Sequence, residues 1–353
     1  MTFDAILTDA RKFLGATDPA AKTTARNLLE AAGEFTTYPQ PTHQLPLLCV
    51  DGALATTQTD ALVWTAASAG TSGAETPITH GAVAPVGPAA DRISGATMAL
   101  AEMQMAIKAS LSHQEVWIDG GLATPLISLS TALTDPNRHI STSLAGVLER
   151  ASSLETVAAY VELATQGRLL ALPKQDTARA FSQHWAHTYG QEPALKDWLA
   201  SRSDRSLTMA LLSRGERTRT RTADEALRVE IKNVSTTPPA SKLWTEAMDP
   251  IFARWRTEVS AHIAYVMPRH GIGRPIKIEM TISNPQTAES RMDQAASVVD
   301  SQIVGPHIIE PLPQHLVDIT VKRAVSSGII DLMGAATSSF IATHPEATGK
   351  YRS

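Results

Sequence analysis

The sequence predicts a mixed α/β fold, and three observations support this. Apolar runs of strand length alternate with stretches whose apolar residues recur at helical spacing. Two pairs of apolar runs, one starting near Leu45 and one near Ser260, are joined by short turn-like segments and predict antiparallel hairpins. The 353 residues are 43% hydrophobic and 19% charged, which is ordinary for a globular chain with one large domain or two modest ones. A disordered chain is excluded.

The first part of the chain predicts a helical segment followed by the start of the core. Residues 1–35 carry apolar positions at helical spacing, and Gly33 suits the C-terminal cap of that helix. The core begins near Leu45 with a strand pair. Residues 70–90 are rich in Gly, Pro, Ala and Thr and predict a long surface loop. A helix from Arg92 to Leu111 and a buried strand, EVWIDGGL, follow.

The second part alternates helices with short strands. Helical patterns from Pro125 to about Gln166 precede a strand, RLLALPK, and two further helices, the second ending at Gly215. A basic run, RGERTRTRTADEALR, leads to the second strand pair, and a long helix closes the chain. We therefore predict an N-terminal helical segment (1–40), a core (41–335) with a helical insertion around 125–230, and a tail (336–353).

Charge and cysteine content limit the classes of function. The formal net charge of −4 gives no overall attraction to phosphate, so contact with nucleic acid requires a local basic surface. Cys49, the single cysteine, excludes an internal disulfide and a cysteine-rich zinc site and favours the cytoplasm. No signal peptide and no membrane span of ~18 apolar residues is expected. No phosphate-binding loop of the P-loop type occurs, so any ATP-driven motion has to come from a partner.

Two aspartates end apolar strands and are followed by glycine. Asp51 follows LPLLCV and precedes Gly52, and Asp119 follows VWI and precedes two glycines. A carboxylate at a strand end is held rigidly, and a neighbouring glycine permits close approach of a substrate or metal. Asp-Gly is also a common turn sequence, so two ordinary turns remain an alternative at this point.

A third carboxylate favours the metal-site interpretation. Glu102 lies on a predicted helix with apolar neighbours one turn away on either side (Met98, Met105, Ala106). An acidic side chain on an apolar helix face is costly unless it is paired or binds a cation. Three such carboxylates form a hard oxygen cluster suited to Mg²⁺ or Mn²⁺, as metal-assisted phosphodiester hydrolysis requires.

The chain resembles the NurA nuclease family over nearly the whole core. LLCVDGALATT resembles the first family motif, although Ala53 stands where the family commonly has serine. Glu102 lies on the helix where the family carries a glutamate, and VWIDGGL is similar to the second aspartate motif. The remaining similarities follow in the same order: LLALPKQDTARAF with Lys174, SDRSLTMALLSRGERT, IKIEMTIS with Glu279, and EPLPQHLVDITVKRA with His315 and Asp318.

This resemblance implies an RNase H-like fold, a mixed sheet flanked by helices, and a manganese- or magnesium-dependent DNA nuclease. Asp51, Glu102, Asp119 and Asp318 are then the expected metal ligands. Lys174 and His315 are expected to assist in handling charge or protons. The family resemblance also implies a homodimer that works with a HerA-type hexameric ATPase on DNA ends, in repair or defence.

The basic run offers a candidate DNA contact. Arg214, Arg217, Arg219 and Arg221 could line a channel, because guanidinium groups bind phosphates without reading sequence. Acidic neighbours (Glu216, Asp224, Glu225) leave open a solvated loop that neutralises itself. Two other functions also stay open: a non-catalytic adaptor subunit of an ATPase complex, and a phosphoesterase that acts on small substrates in an enclosed pocket.

Overall fold

A computed structural model describes residues 19–340 apart from 74, 88–89, 136–137, 175–178, 224–238 and 306. Within this part, ten strands form one mixed sheet with eleven helices around it. The strands are β1 (Phe35–Thr37), β2 (Cys49–Gln58), β3 (Leu62–Thr71), β4 (Ile78–Pro85), β5 (Val116–Asp119), β6 (Leu169–Leu172), β7 (Glu216–Thr218), β8 (Arg221–Thr222), β9 (Ser260–Val266) and β10 (Ile276–Ile282). The helices are α1 (Pro19–Ala31), α2 (Ala90–Ser110), α3 (Thr124–Leu133), α4 (Arg138–Arg150), α5 (Ser153–Thr165), α6 (Ala180–Tyr189), α7 (Pro193–Ala200), α8 (Asp204–Leu211), α9 (Pro239–Glu258), α10 (Ala288–Ser301) and α11 (Leu312–Phe340).

The strand order is β1-β7-β9-β10-β6-β5-β2-β3-β4, with β8 also paired to β9. Strands β2, β3 and β4 form an antiparallel meander. The chain then passes through α2 to β5 and β6, which run parallel to β2. Three antiparallel strands followed by two parallel ones beside the first are the RNase H-like order. The mixed α/β prediction is confirmed.

The two faces of the sheet have separate hydrophobic cores. Side chains of successive strand residues point to opposite faces, so Val50 and Ile118 pack towards the helices of one face, α2 to α5 and α9. Cys49 and Trp117 pack towards the other face, which α10 and α11 cover. We call these the α2 face and the α11 face. Because both faces are covered, strands β3 and β10 are buried over most or all of their length.

The covering helices approach the sheet closely because its residues are small. Helix α2 is buried nearly all round and is rich in Ala and Met, as expected of a helix inside a protein. On the opposite face, a Cβ added to Gly70 of β3 would lie 3.0 Å from Cγ1 of Val321 on α11. The small residues of β3 therefore set the distance at which α11 crosses the sheet.

The structure corrects one predicted segment. Residues 70–90, predicted to be a surface loop, contain β4, which pairs with β3 from Leu62↔Pro85 to Ala69↔Ile78. Glycine and proline at this density are typical of loops, yet here Gly81 and Pro85 lie on an outer strand of the sheet, where such residues are tolerated. Pairing with a long neighbouring strand overrides the local propensity.

The described residues include parts of the predicted N-terminal segment and C-terminal tail and most of the predicted insertion. Helix α1 ends as predicted, with Gly33 at φ +71° and the amide of Glu34 donating to the carbonyl of Leu29. The segment 125–230 contains β6, a central strand, in addition to its helices. Helix α11 continues past 335 to Phe340. Residues 1–18 and 341–353 lie outside the described part. No described helix has the length and apolar character needed to cross a membrane.

Candidate functional site

Asp51 and Asp119 lie side by side on adjacent parallel strands. The β2–β5 register pairs Cys49 with Trp117 and Val50 with Ile118, so the next step brings the two aspartates together at the usual strand spacing of about 4.8 Å. Alternation along each strand puts both side chains on the α11 face. Asp51 is 7% exposed. Burial, together with the charge of Asp119, raises the pKa of Asp51 to about 8 against an opposing effect of Lys174.

Glu102 reaches the same place from the α2 face, through a gap left by glycine. It lies in the middle of α2 and is 7% exposed. A Cβ added to Gly52 would lie 2.6 Å from Cγ of Glu102, so only glycine leaves room for this carboxylate. Burial raises the pKa of Glu102 to about 8, with further contributions from the charges of Asp51 and then Asp119. The three predicted carboxylates therefore interact electrostatically in one buried centre.

Both oxygens of Asp119 are already bound. Lys174, just after β6, places Nζ 2.7 Å from Oδ2 of Asp119 and 3.4 Å from Oε2 of Glu310. Gln314 on α11 donates from Nε2 to Oδ1 of Asp119 over 2.7 Å. Burial alone would lower the pKa of Lys174, but its hydrogen bond and charge interaction with Asp119 raise it, so the lysine is a fixed cation. Lys174 therefore lies beside the carboxylates and is ion-paired with Asp119 and Glu310.

The remaining predicted residues, Asp318 and His315, lie at the edge of this centre on α11. The charge of Asp318 acts on Asp51, although Nζ of Lys322 lies 2.8 Å from Oδ2 of Asp318. His315 is more than half exposed, and its Nδ1 lies 3.4 Å from Oε1 of Glu310. Asp318 therefore lies close enough to Asp51 for its charge to act on it, whereas His315 contacts Glu310 at the edge of the centre.

Two further polar residues beside Asp119 and Lys174, Gln314 and Glu310, were not predicted from the sequence. Glu310, Gln314 and Asp318 are spaced four residues apart, which is the spacing of one helix face, and this was the available signal. Gln314 and Asp318 belong to α11 itself, and Glu310 lies two residues before its first residue, Leu312. One face of this region thus supplies polar groups to the strand-end carboxylates.

The loop after Asp119 is held by buried groups on the α2 face. Oε2 of Glu279 on β10 accepts the amide of Leu122 over 2.9 Å, and Oε1 lies 3.0 Å from Nζ of Lys277. The hydroxyl of Tyr160 donates to the carbonyl of Leu122 over 2.9 Å. Gly120 allows this path because its φ of +125° is strained for other residues. Both polar groups of one loop residue are thereby fixed, and Asp119 is fixed with them.

Removing this support should weaken the centre without removing a carboxylate. We expect Tyr160→Phe to lower the free energy of unfolding by about 1 kcal/mol, the usual net value of one buried hydrogen bond. Because this loop positions Asp119, the rate of the metal-dependent DNA hydrolysis that the family resemblance implies should fall about fivefold, the factor equivalent to 1 kcal/mol. Tyr38→Phe is the matched control, because the Tyr38 hydroxyl also donates to a backbone carbonyl, that of Met267. Equal activities of the two variants would contradict the positioning role of Tyr160.

The predicted DNA-binding arginines fall into two groups. Arg217 is 1% exposed, with Nε 2.7 Å from Oδ1 of Asp293 and Nη1 2.8 Å from Oε2 of Glu289. Arg221 binds both oxygens of Glu34. The prediction that these two line a DNA channel is corrected, because their guanidinium groups hold the β7–β8 region to α10 and to the segment after α1. Arg214 and Arg219 are exposed.

The alternative of local neutralisation does not describe these contacts either. The carboxylates that bind Arg217 and Arg221 are distant in sequence, whereas Glu216 is bound by both terminal nitrogens of Arg26. Asp224 and Glu225 lie outside the described residues. The charged residues Glu216, Arg217 and Arg221 of this run therefore pair with residues distant in sequence, not with their neighbours in the run.

The acidic centre fits a divalent cation by its chemistry. Among the described residues, no three His, Cys, Asp or Glu side chains already stand at metal-binding spacing. Asp51 and Glu102 nevertheless are buried carboxylates whose raised pKa values reflect burial and mutual repulsion, which a hard cation would relieve. Asp119 would join them as a ligand if its oxygens were freed from Lys174 and Gln314.

The raised pKa values predict how stability depends on pH. In the folded protein Asp51 and Glu102 have pKa values near 8, above their usual values of 3.8 and 4.5. Protons therefore favour the folded state, and this stabilisation is complete below about pH 4 and lost as the pH rises through about 8. We expect the metal-free protein to lose up to about 1.4 kcal/mol per pH unit for each group across this window.

Denaturant unfolding in EDTA between about pH 5.5 and pH 8.5 measures this slope directly. Ordinary ion-paired carboxylates titrate below this range; although burial opposes it, the hydrogen bond from Arg26 lowers the pKa of Glu216, for example. Glu102→Gln removes one of the two groups and should flatten the curve by about half. Identical slopes for the wild type and this variant would contradict the assignment.

The whole fold is similar to known NurA structures. The crystal structure of the NurA nuclease from Sulfolobus solfataricus superimposes with a TM-score of 0.53 and 11% identity, covering 96% of this chain and 98% of that one. A second NurA crystal structure gives 0.52 and 11%, with the same coverage. The sequence matches no protein-family model and no curated protein. The NurA fold, first indicated by short motifs, is thus present over nearly the entire chain.

Proposed function

We propose that this protein is a metal-dependent nuclease that hydrolyses phosphodiester bonds in DNA. The observation that carries the proposal is the meeting of Asp51, Asp119 and Glu102 in one buried centre from two strands and a helix on opposite sides of the sheet. Burial of three mutually repelling carboxylates is costly, and binding of divalent cations offsets that cost. The similarity of the fold to the NurA nuclease supports the same conclusion.

Each residue has a role in this proposal. Asp51, Glu102 and Asp119 would hold Mn²⁺ or Mg²⁺, and Asp318 would complete the ligand set from α11. Bound cations of this kind activate water and neutralise the charge that develops on a phosphodiester during hydrolysis. The absence of a side chain at Gly52 leaves room for Glu102. Tyr160 and Glu279 hydrogen-bond to Leu122 and so hold the loop that follows Asp119.

Lys174 has two roles in this proposal, one in the metal-free protein and one when cations are bound. In the metal-free state its ammonium group balances the charge of Asp119 and Glu310. With a cation held at Asp119, the ammonium group of Lys174 would be available to the phosphate of the substrate, where a fixed positive charge stabilises developing negative charge. His315 stands near enough to Glu310 to assist proton transfer at the rim.

The partners follow from the same family resemblance. We propose that the chain forms a homodimer and receives DNA from a HerA-type hexameric ATPase, in DNA end processing for repair or defence. Arg214 and Arg219 are exposed and are proposed to contact phosphates of the incoming strand. The core from 41 to 335 is the proposed nuclease domain, and a cytoplasmic location is proposed.

The decisive experiment is digestion of linear DNA with Mn²⁺ or Mg²⁺. Wild type, Asp51→Ala and Asp119→Ala are compared, each alone and with the ATPase. We expect cleavage only by the wild type and only with metal. If all three proteins behave alike under every condition, the chain is instead the non-catalytic adaptor that its sequence left open.

A further inference from the structure

A small basic cavity adjoins the acidic centre. It has a volume of about 140 Å³ and lies between the end of β6, the start of β10 and the loop before α11. Its lining includes three cationic side chains, Lys174, Arg205 and Arg274, and one carboxylate, Glu310. Pockets for drug-sized ligands measure about 300–1,000 Å³, so this cavity suits a small anionic group and not a nucleoside.

The cavity and the acidic centre share a wall. Nζ of Lys174 contacts Asp119 on one side, while the same side chain lines the cavity. Gln314 also belongs to both, since its Nε2 donates to Asp119 and, over 3.2 Å, to the carbonyl of Leu172. A group bound in the cavity is therefore separated from the proposed reaction centre by single side chains.

The walls of the cavity are built to keep their shape. Arg205 on α8 donates to the carbonyls of Pro173 and Lys174, the first over 2.8 Å, which fixes the segment after β6. Pro173, Pro275 and Pro311 all line the cavity, and the ring of each proline fixes one backbone angle. The site is thus preformed, so binding an anion requires little ordering of the chain.

Arg274 supplies a cation available for a ligand. It lies directly before β10, is exposed at the cavity rim, and has no hydrogen-bond or ion-pair partner among the described residues. A guanidinium group offers paired donors that match the oxygens of a phosphate. Lys174, which also lines the cavity, adds a second positive charge.

We propose that this cavity binds a phosphate group of the DNA strand adjacent to the bond that is cleaved. This inference rests on the proposed function for the identity of the strand, whereas the site itself is defined by Lys174, Arg205 and Arg274. Phosphate held there positions the strand relative to Asp51 and Asp119. The bound group is either a terminal phosphate or an internal phosphate of the strand, which have the same recognition chemistry.

Binding without turnover tests the proposal. Fluorescent single-stranded oligonucleotides with a 5′-phosphate, a 3′-phosphate or neither are titrated in EDTA with the full-length wild type, Arg274→Gln and Arg254→Gln. Arg254 is the matched control, because it is a surface arginine of α9 on the α2 face, paired with Glu162 and Glu258. Inorganic phosphate is added as a competitor, and thermal melts confirm that each variant is folded.

Arg274→Gln should raise the dissociation constant for the oligonucleotide about tenfold. It should also reduce the slope of log affinity against log salt concentration by about one, the value for one phosphate contact. Arg254→Gln should change neither quantity. If Arg274→Gln weakens binding of only the 5′-phosphorylated or only the 3′-phosphorylated oligonucleotide, the cavity binds that terminal phosphate. An equal loss for all three oligonucleotides identifies an internal phosphate. Equal binding by the two variants, no competition by inorganic phosphate, or no binding by wild type overturns the proposal.

The two levels of the hypothesis fail separately. Metal-dependent cleavage by the wild type together with unchanged binding by Arg274→Gln removes the phosphate site and leaves the nuclease. Absence of cleavage together with Arg274-dependent binding of phosphate leaves the site and removes the nuclease.

Discussion

Asp51→Asn is expected to lose metal-dependent DNA hydrolysis by about 1,000-fold or more, the scale on which an essential charged group in a reaction centre acts. Asparagine keeps the size of the side chain but cannot supply the negative charge that a hard divalent cation requires. Cleavage of linear DNA at saturating Mn²⁺ measures the effect. Asp60→Asn is the matched control, because Asp60 is exposed in the turn after the same strand.

The same substitution should stabilise the metal-free protein. Asp51 is buried beside Asp119, and both burial and that charge raise its pKa. An uncharged side chain removes this repulsion, so the gain in free energy of unfolding should be absent near pH 4 and rise towards about pH 8 by up to about 1.4 kcal/mol per pH unit. Loss of activity without a pH-dependent gain in stability would mean that Asp51 acts outside a buried acidic centre.

Gly52→Ala is expected to be the most damaging substitution among those that leave every candidate ligand in place. The added methyl group would lie 2.6 Å from Cγ of Glu102, so the glutamate has to move away from Asp51. We expect a loss of about 100-fold in nuclease rate, because misplacement of a reacting group by about 1 Å has that effect. Overpacking should also cost about 2 kcal/mol of stability.

A double-mutant cycle separates the clash from other effects of the methyl group. In a Glu102→Ala background, Gly52→Ala should cost less than about 0.5 kcal/mol, because its colliding partner is gone. Gly81→Ala on β4 is the matched control, since its added Cβ would meet no described atom closer than 3.7 Å. If Gly52→Ala is equally costly in both backgrounds, Glu102 does not occupy the gap beside Gly52.

The acidic centre was largely predictable because its signals are local. Asp51 and Asp119 each follow an apolar strand and precede glycine, and strand ends next to each other in a sheet bring such residues together. Glu102 stood out as a lone carboxylate on an apolar helix face. Each signal spans only a few residues, and their common order along the chain led to the NurA resemblance and the RNase H-like fold.

The arginines show where local patterns fail. Arg217 and Arg221 belong to a basic run that was predicted to line a DNA channel, but their partners lie 76 positions away at Asp293 and 187 positions away at Glu34. A charge pattern gives no information on partners at such separations. Burial of Arg217 and its ion pairs, decided by how α10 packs on the sheet, turns a predicted DNA contact into a structural one.

The sequence by itself determined the mixed α/β fold, the order of its central strands and helices, and the carboxylates that could meet, because hydrophobic periodicity and strand-end residues are local properties. Only the tertiary structure decided that residues 78–85 form a strand, that Lys174 and Gln314 bind the oxygens of Asp119, and that Arg274 lines a cavity. Those outcomes depend on which surfaces the folded chain brings into contact, and residues distant in sequence supply one side of each contact.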